Sequence, residues 1–81
     1  MGINETERTM LGNCDVNDIT KREFEIMNCF AKGGSYKDVS EQLGISQNTV
    51  KYHIKILLAK TGYSNTLTLI AHAVSVGVVK L

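Results

Sequence analysis

Four polar residues suited to capping a helix, each followed at helical distance by a glycine, divide most of this 81-residue chain into segments. Thr20-Lys21-Arg22-Glu23 has the form of a capping box: the Thr20 hydroxyl serves the backbone N–H of Glu23, and the Glu23 carboxylate returns to that of Thr20. Ile19, just before the cap, is placed to staple onto Phe24, and Gly33-Gly34 stops the segment. Ser35 with Asp38 repeats the box using a shorter acid, and Gly44 follows within about two turns. Ser46 opens a third segment that runs to Gly62, and Ser64 or Asn65 opens a fourth that ends before Gly77. The spacing predicts helices over about 20–32, 35–43, 46–61 and 65–76.

Each segment carries an apolar face at helical spacing. Ile26, Met27, Phe30 and Ala31 form the first, and Tyr36, Val39 and Leu43 the second. Val50, Ile54, Leu57 and Leu58 form the third. Leu67, Leu69, Ile70, Ala71, Ala73 and Val74 make the fourth apolar over more than half its circumference. The β-branched run Val76-Gly77-Val78-Val79 also suits a strand, but length and capping at both ends favour helix. The hydrophobic fraction of 43% is enough for a packed core, and the absence of proline leaves the helices uninterrupted. The expected fold is all-α: one compact four-helix domain over residues 19–81, with helices 2 and 3 forming a helix-turn-helix. Residues 1–18 are polar and show no sustained period. They read as a linker or N-terminal arm, with a weak helical turn over Glu5 to Leu11 at most. Cys14 falls in this polar leader and Cys29 on or near an apolar helical face. The two do not require a disulfide, and with His53 and His72 they make no zinc spacing, so no metal is expected.

Charge is segregated along the chain. No carboxylate side chain occurs from Gln42 to Leu81, so the net charge of +1 divides into −3 over residues 1–41 and +4 over 42–81. A basic, acid-free half suits a polyanion. Tryptophan is absent and aromatic residues make up 6%, which argues against a stacking platform for single strands. In a helix-turn-helix the second helix must bury one face, so that packing fixes its angle, and present a polar face near its N-terminus to the major groove. Here Val50, Ile54 and Leu58 are expected to be buried, while Lys51, Tyr52 and Lys55 point to solvent. Taken alone, the two lysines read as an ordinary solvated helix face. The preceding scaffold helix and the acid-free surroundings turn the set into candidate base contacts. Ser46, Gln47, Asn48 and Thr49 stand beside the free N-terminal amides, which suit a phosphate oxygen. His53 lies between the two faces and reads as structural.

The run Ile45-Ser46-x-x-Thr49-Val50-Lys51-x-His53-Ile54, with Ile19-Thr20, Arg22-Glu23, Glu25-Ile26-Met27, Ala31, Gly33, Ser35, Lys37-Asp38-Val39 and Leu43 upstream and Lys60 and Gly62 downstream, resembles the LuxR-type (GerE-like) helix-turn-helix DNA-binding domain of bacterial transcription regulators. The likeness spans about residues 19–79. It implies recognition by the third helix, about residues 47–60, and dimerisation through the fourth. It carries base contacts onto Lys51, Tyr52 and Lys55, and phosphate contacts onto Ser46, Thr49 and Lys60. Leu67, Ile70, Ala71 and Val74 share one stripe of the fourth helix and are the expected dimer surface. Two positions depart from the family pattern. Thr61 stands where a leucine is usual, with loss of apolar contact expected, and Thr66 stands where an arginine is usual.

The expected partners are double-stranded DNA and a second copy of the chain, with RNA polymerase a candidate contact and no membrane. The expected location is the cytoplasm. No cofactor is implied, and the chain carries no Gly-rich phosphate loop, nucleophile–base pair or paired carboxylates that would mark an enzyme. In this family the domain usually follows a receiver or ligand-sensor domain. The chain therefore reads either as the output domain of a longer regulator or as a small stand-alone one. The competing reading is a protein-interaction module on the same fold that modulates a partner regulator through helix 4.

Overall fold

The structure, a computed structural model, describes residues 9–81. Four helices form: α1 (Lys21–Ala31), α2 (Tyr36–Leu43), α3 (Gln47–Thr61) and α4 (Thr66–Ser75). Every helix start has its expected cap. The Thr20 hydroxyl accepts from the Glu23 N–H at 3.1 Å and the Glu23 carboxylate accepts from the Thr20 N–H at 2.9 Å, which closes the first box. Ser35 and Asp38 close the second. Ser46 accepts from Thr49 N–H at 3.0 Å and Asn65 from Thr68 N–H at 2.8 Å. At the turn between α2 and α3, Gly44 adopts φ +67°, a left-handed conformation that glycine takes without Cβ strain.

α2 packs across α3 and both pack on α1, while α4 lies against α1 and α3. This is an all-α four-helix domain with a helix-turn-helix in α2–α3. The core draws on every helix: Ile26 and Met27 from α1, Val39 from α2, Val50, Ile54 and Leu57 from α3, and Leu69 and Ala73 from α4. Beyond α4 the chain makes no strand. Gly77 turns it at φ +79°, the N–H groups of Val78 and Val79 both donate to the Ala73 carbonyl, and Val79 enters the core.

Residues 10–18, expected within a polar linker or N-terminal arm, form regular structure. Met10–Leu11 and Cys14–Asp15 pair antiparallel as strands β1 and β2, followed by a 3-10 turn over Val16–Asp18. Leu11 and Cys14 lie directly opposite each other and both are buried in the domain core. The helical turn considered for Glu5 to Leu11 falls partly outside the described residues, and its last two residues are β1. The hairpin also closes the far end of α3: the Asn13 N–H donates to the Thr61 carbonyl at 2.9 Å, one of the helix-end acceptors that would otherwise lack a partner. Gly12 is required here for space as well as for φ, since a Cβ would meet that carbonyl oxygen at 2.2 Å. Cys14 thus belongs to the core, and burial pushes its thiol pKa up. Cys29 is half-buried with its Sγ on Gln42 Oε1 at 3.3 Å, and both thiols are free.

Candidate nucleic-acid interface

α3 is two-faced in the sense that reading a groove requires. Val50, Ile54 and Leu57 are at most 3% exposed and fix the helix on α1 and α2. Leu58, expected with them, is half-buried, because Leu57 rather than Leu58 lies at the centre of the packed face. Lys51, Tyr52 and Lys55 are all exposed, with Tyr52 at 62%. Lys51 and Lys55 are four residues apart and so share one side of the helix. The Lys51 ammonium lies over the Tyr36 ring, 5.9 Å from its centroid. His53 is half-buried, its ring edge-on to Tyr52 with centroids 5.8 Å apart.

The N-terminus of α3 is built differently from those of α1 and α2. Those two hold Glu23 and Asp38 at their third positions, each returning a carboxylate to the cap. α3 has Thr49 there, whose hydroxyl meets that of Ser46 at 2.9 Å, and no acid in its first turn. Ser46, Gln47 and Asn48 are exposed, and Thr49 is half-buried. The positive end of the helix is therefore free of any carboxylate of its own.

Lys60, expected among the phosphate contacts, has partners within the fold. Its Nζ sits 2.8 and 3.2 Å from the two Glu23 carboxylate oxygens and 3.0 Å from the Asp18 carbonyl. The ammonium thereby bolts the end of α3 to the start of α1, and the geometry gives it a structural partner rather than a free face. Thr61 and Thr66 are likewise absorbed into the fold. Thr61 is buried, and its hydroxyl donates to the Leu57 carbonyl at 2.7 Å, so the lost apolar contact is replaced by a satisfied polar one. The Thr66 hydroxyl is 3.1 Å from that of Tyr36.

On α4 the expected stripe is unevenly covered. Leu67 is 81% exposed and Ala71 is exposed, whereas Ile70 and Val74 are half-buried against the core. His72 is exposed, its ring stacked on Tyr63 at 4.8 Å. No helix among the described residues is long and apolar enough to cross a membrane.

A short α2, a glycine turn and a longer α3 with one buried and one basic face define a helix-turn-helix domain. The sequence profile of the bacterial regulatory proteins of the luxR family matches residues 17–73, and the chain belongs to that family. It is 37% identical over 67 residues to the probable transcriptional regulatory protein SgaR of Hyphomicrobium methylovorum, covering 83% of this chain and 32% of that protein. It is 41% identical over 46 residues to the nitrate/nitrite response regulator protein NarL of Escherichia coli, covering 57% of this chain and 21% of that one. It is 30% identical over 77 residues to the transcriptional regulatory protein LnrK of Bacillus subtilis, covering 95% and 33%. The chain spans no more than about a third of these relatives.

Proposed function

We propose that this chain is a sequence-specific double-stranded DNA-binding domain of a transcription regulator, with α3 lying in the major groove. The carrying observation is the exposure of Lys51, Tyr52 and Lys55 on one side of a helix whose other side is locked in the core, in a half of the chain without carboxylates. Lysine amines donate to guanine O6 and N7, and a tyrosine ring meets base edges or the thymine methyl. Ser46, Gln47, Asn48 and Thr49, beside amides without a carboxylate neighbour, hold a backbone phosphate. The membership of the luxR family and the names of the relatives support this reading. Lys60 is a secondary phosphate contact in this reading, since its ammonium, already engaged by Glu23, keeps 30% side-chain exposure. A domain that acts on bacterial DNA works in the cytoplasm, without a cofactor or catalysis.

Lys51→Ala or Lys55→Ala should each cost about 1–3 kcal/mol of operator binding, with relaxed preference at one base pair, if the lysine reads a base. A lysine that meets only phosphate gives a uniform loss across sequences and lowers the salt slope by about one counterion. Titrations of selected and bulk duplexes across salt separate these cases. Retention of full operator affinity and specificity by both variants at physiological salt would show that α3 is not the reader. A flat salt dependence of the parent would favour the interaction-module reading.

A two-fold dimer through α4 completes the proposal, because Leu67 and Ala71 leave an apolar surface that the small core does not cover. Such a dimer sets two α3 helices about 34–36 Å apart, one duplex turn. Leu67→Glu tests it better than a change at Val74, which also packs on the core. The variant should melt within about 0.5 kcal/mol of the parent, as exposed substitutions do, yet lose cooperativity on a two-half-site duplex. Unchanged cooperativity would place the interface elsewhere.

A further inference from the structure

Tyr36 is the first residue of α2, outside the expected contact set, and three other helices meet on its side chain. Its ring packs edge-on against Phe30 of α1, with centroids 5.0 Å apart and planes at 75°. Its hydroxyl shares a 3.1 Å hydrogen bond with Thr66, the first residue of α4. The remaining face lies beneath the Lys51 ammonium of α3. The ring is thus held by Phe30 and at its hydroxyl, and the cation over its face is Lys51, the N-terminal lysine of the proposed reading surface. A free lysine has four rotatable bonds and a high rotamer entropy, which ordering on DNA would cost. An ammonium held over a fixed aromatic face has part of that freedom removed beforehand, and a ligand that meets a preorganised side chain binds more tightly.

The geometry points to Tyr36 as a positioning residue for Lys51, aiming its ammonium for base readout through the cation–π contact, with the Thr66 hydrogen bond fixing the ring. This rests on the proposal that Lys51 reads DNA. It adds a residue that touches no DNA yet sets specificity, and it gives Thr66 a role in the same device.

The test has two arms, both on the 81-residue chain. In the free protein, proton NMR should find the Lys51 ε-methylene shifted upfield of that of Lys55 by the ring current. The shift should be lost in Tyr36→Leu and reduced in Tyr36→Phe, which keeps the ring but not the Thr66 bond. On DNA, the probe is the duplex that the parent enriches from a random library. Tyr36→Leu should weaken its binding about two- to fivefold, the range an exposed cation–π contact supplies. In a Lys51→Ala background the same change should have no further effect, and Tyr36→Leu alone should leave bulk-DNA affinity at the parent's level. Thermal unfolding of each variant keeps comparisons within the folded range. An equal Tyr36→Leu loss with and without Lys51 would mark a purely structural role and overturn the inference, as would tighter binding or the absence of the upfield shift. If Lys51→Ala is itself neutral while the upfield shift is present, the DNA-reading proposal fails and the positioning role falls with it, although the contact itself stands.

Discussion

Leu11→Ala should destabilise the domain by about 2–5 kcal/mol, the cost of emptying a leucine site in a packed core. Leu11 is fully buried, and no other large side chain of the hairpin reaches that depth. The expectation is demanding because Leu11 precedes the family match, which begins at residue 17. If the four helices were the whole cooperative unit, the substitution would behave like a surface change and shift stability by less than about 0.5 kcal/mol. Urea unfolding of the parent and the variant decides the matter, with equal slopes expected and a lower midpoint for the variant. A small change in midpoint would mean that the hairpin lies on the domain without belonging to it. A large one means that β1–β2 is part of the domain, and that truncation at residue 17 removes core as well as linker. Loss of the hairpin would also free the Thr61 carbonyl at the end of α3, so α3 should fray at that end.

The four helices were legible because their signals are local. A cap, an acid three residues on, an apolar stripe and a terminal glycine all fall within one helix, and each observed boundary lies within one residue of the expectation. The division of α3 into buried and exposed faces follows from the same periodicity. The hairpin was not legible by that route, because strands of two residues are too short to show alternation. The signal present was Gly12-Asn13, a two-residue turn pair with positive φ at the first position only, the pattern of a type II′ turn. Two further facts are tertiary and leave no local trace. Lys60 reads as one more cation in a basic half, because its carboxylate partner lies 37 residues away on α1. Leu67 and Val74 read alike on one stripe of α4, and only packing separates the exposed residue from the half-covered one.

Lys60→Met is expected to cost about 3 kcal/mol near neutral pH, the low end of the ~3–5 kcal/mol lost when one partner of a buried ion pair is removed. The low end applies because the Lys60 side chain keeps 30% exposure, whereas that of Glu23 keeps 3%. Methionine preserves most of the aliphatic stem, so the loss isolates the ammonium rather than the packing. Burial pushes the Glu23 carboxyl pKa up, but hydrogen bonds from Lys60 and from Thr20, together with the lysine charge, hold it below its ordinary value. A carboxyl depressed in this way stabilises the fold above its unfolded value of about 4.3, and that contribution disappears as pH falls through the folded value. In the variant the burial remains and the lysine is gone, so the same carboxyl should titrate above the parent's. The stability gap between the two proteins should therefore be widest near pH 7 and should narrow steadily as the pH drops below about 4.5. Denaturant unfolding of both proteins across that window measures it. A gap of constant size would mean that the ammonium acts through its hydrogen bond to the Asp18 carbonyl and not through the Glu23 charge. A gap that closes would show that one ion pair, spanning the start of α1 and the end of α3, stabilises the packing of these two helices through the Glu23 charge.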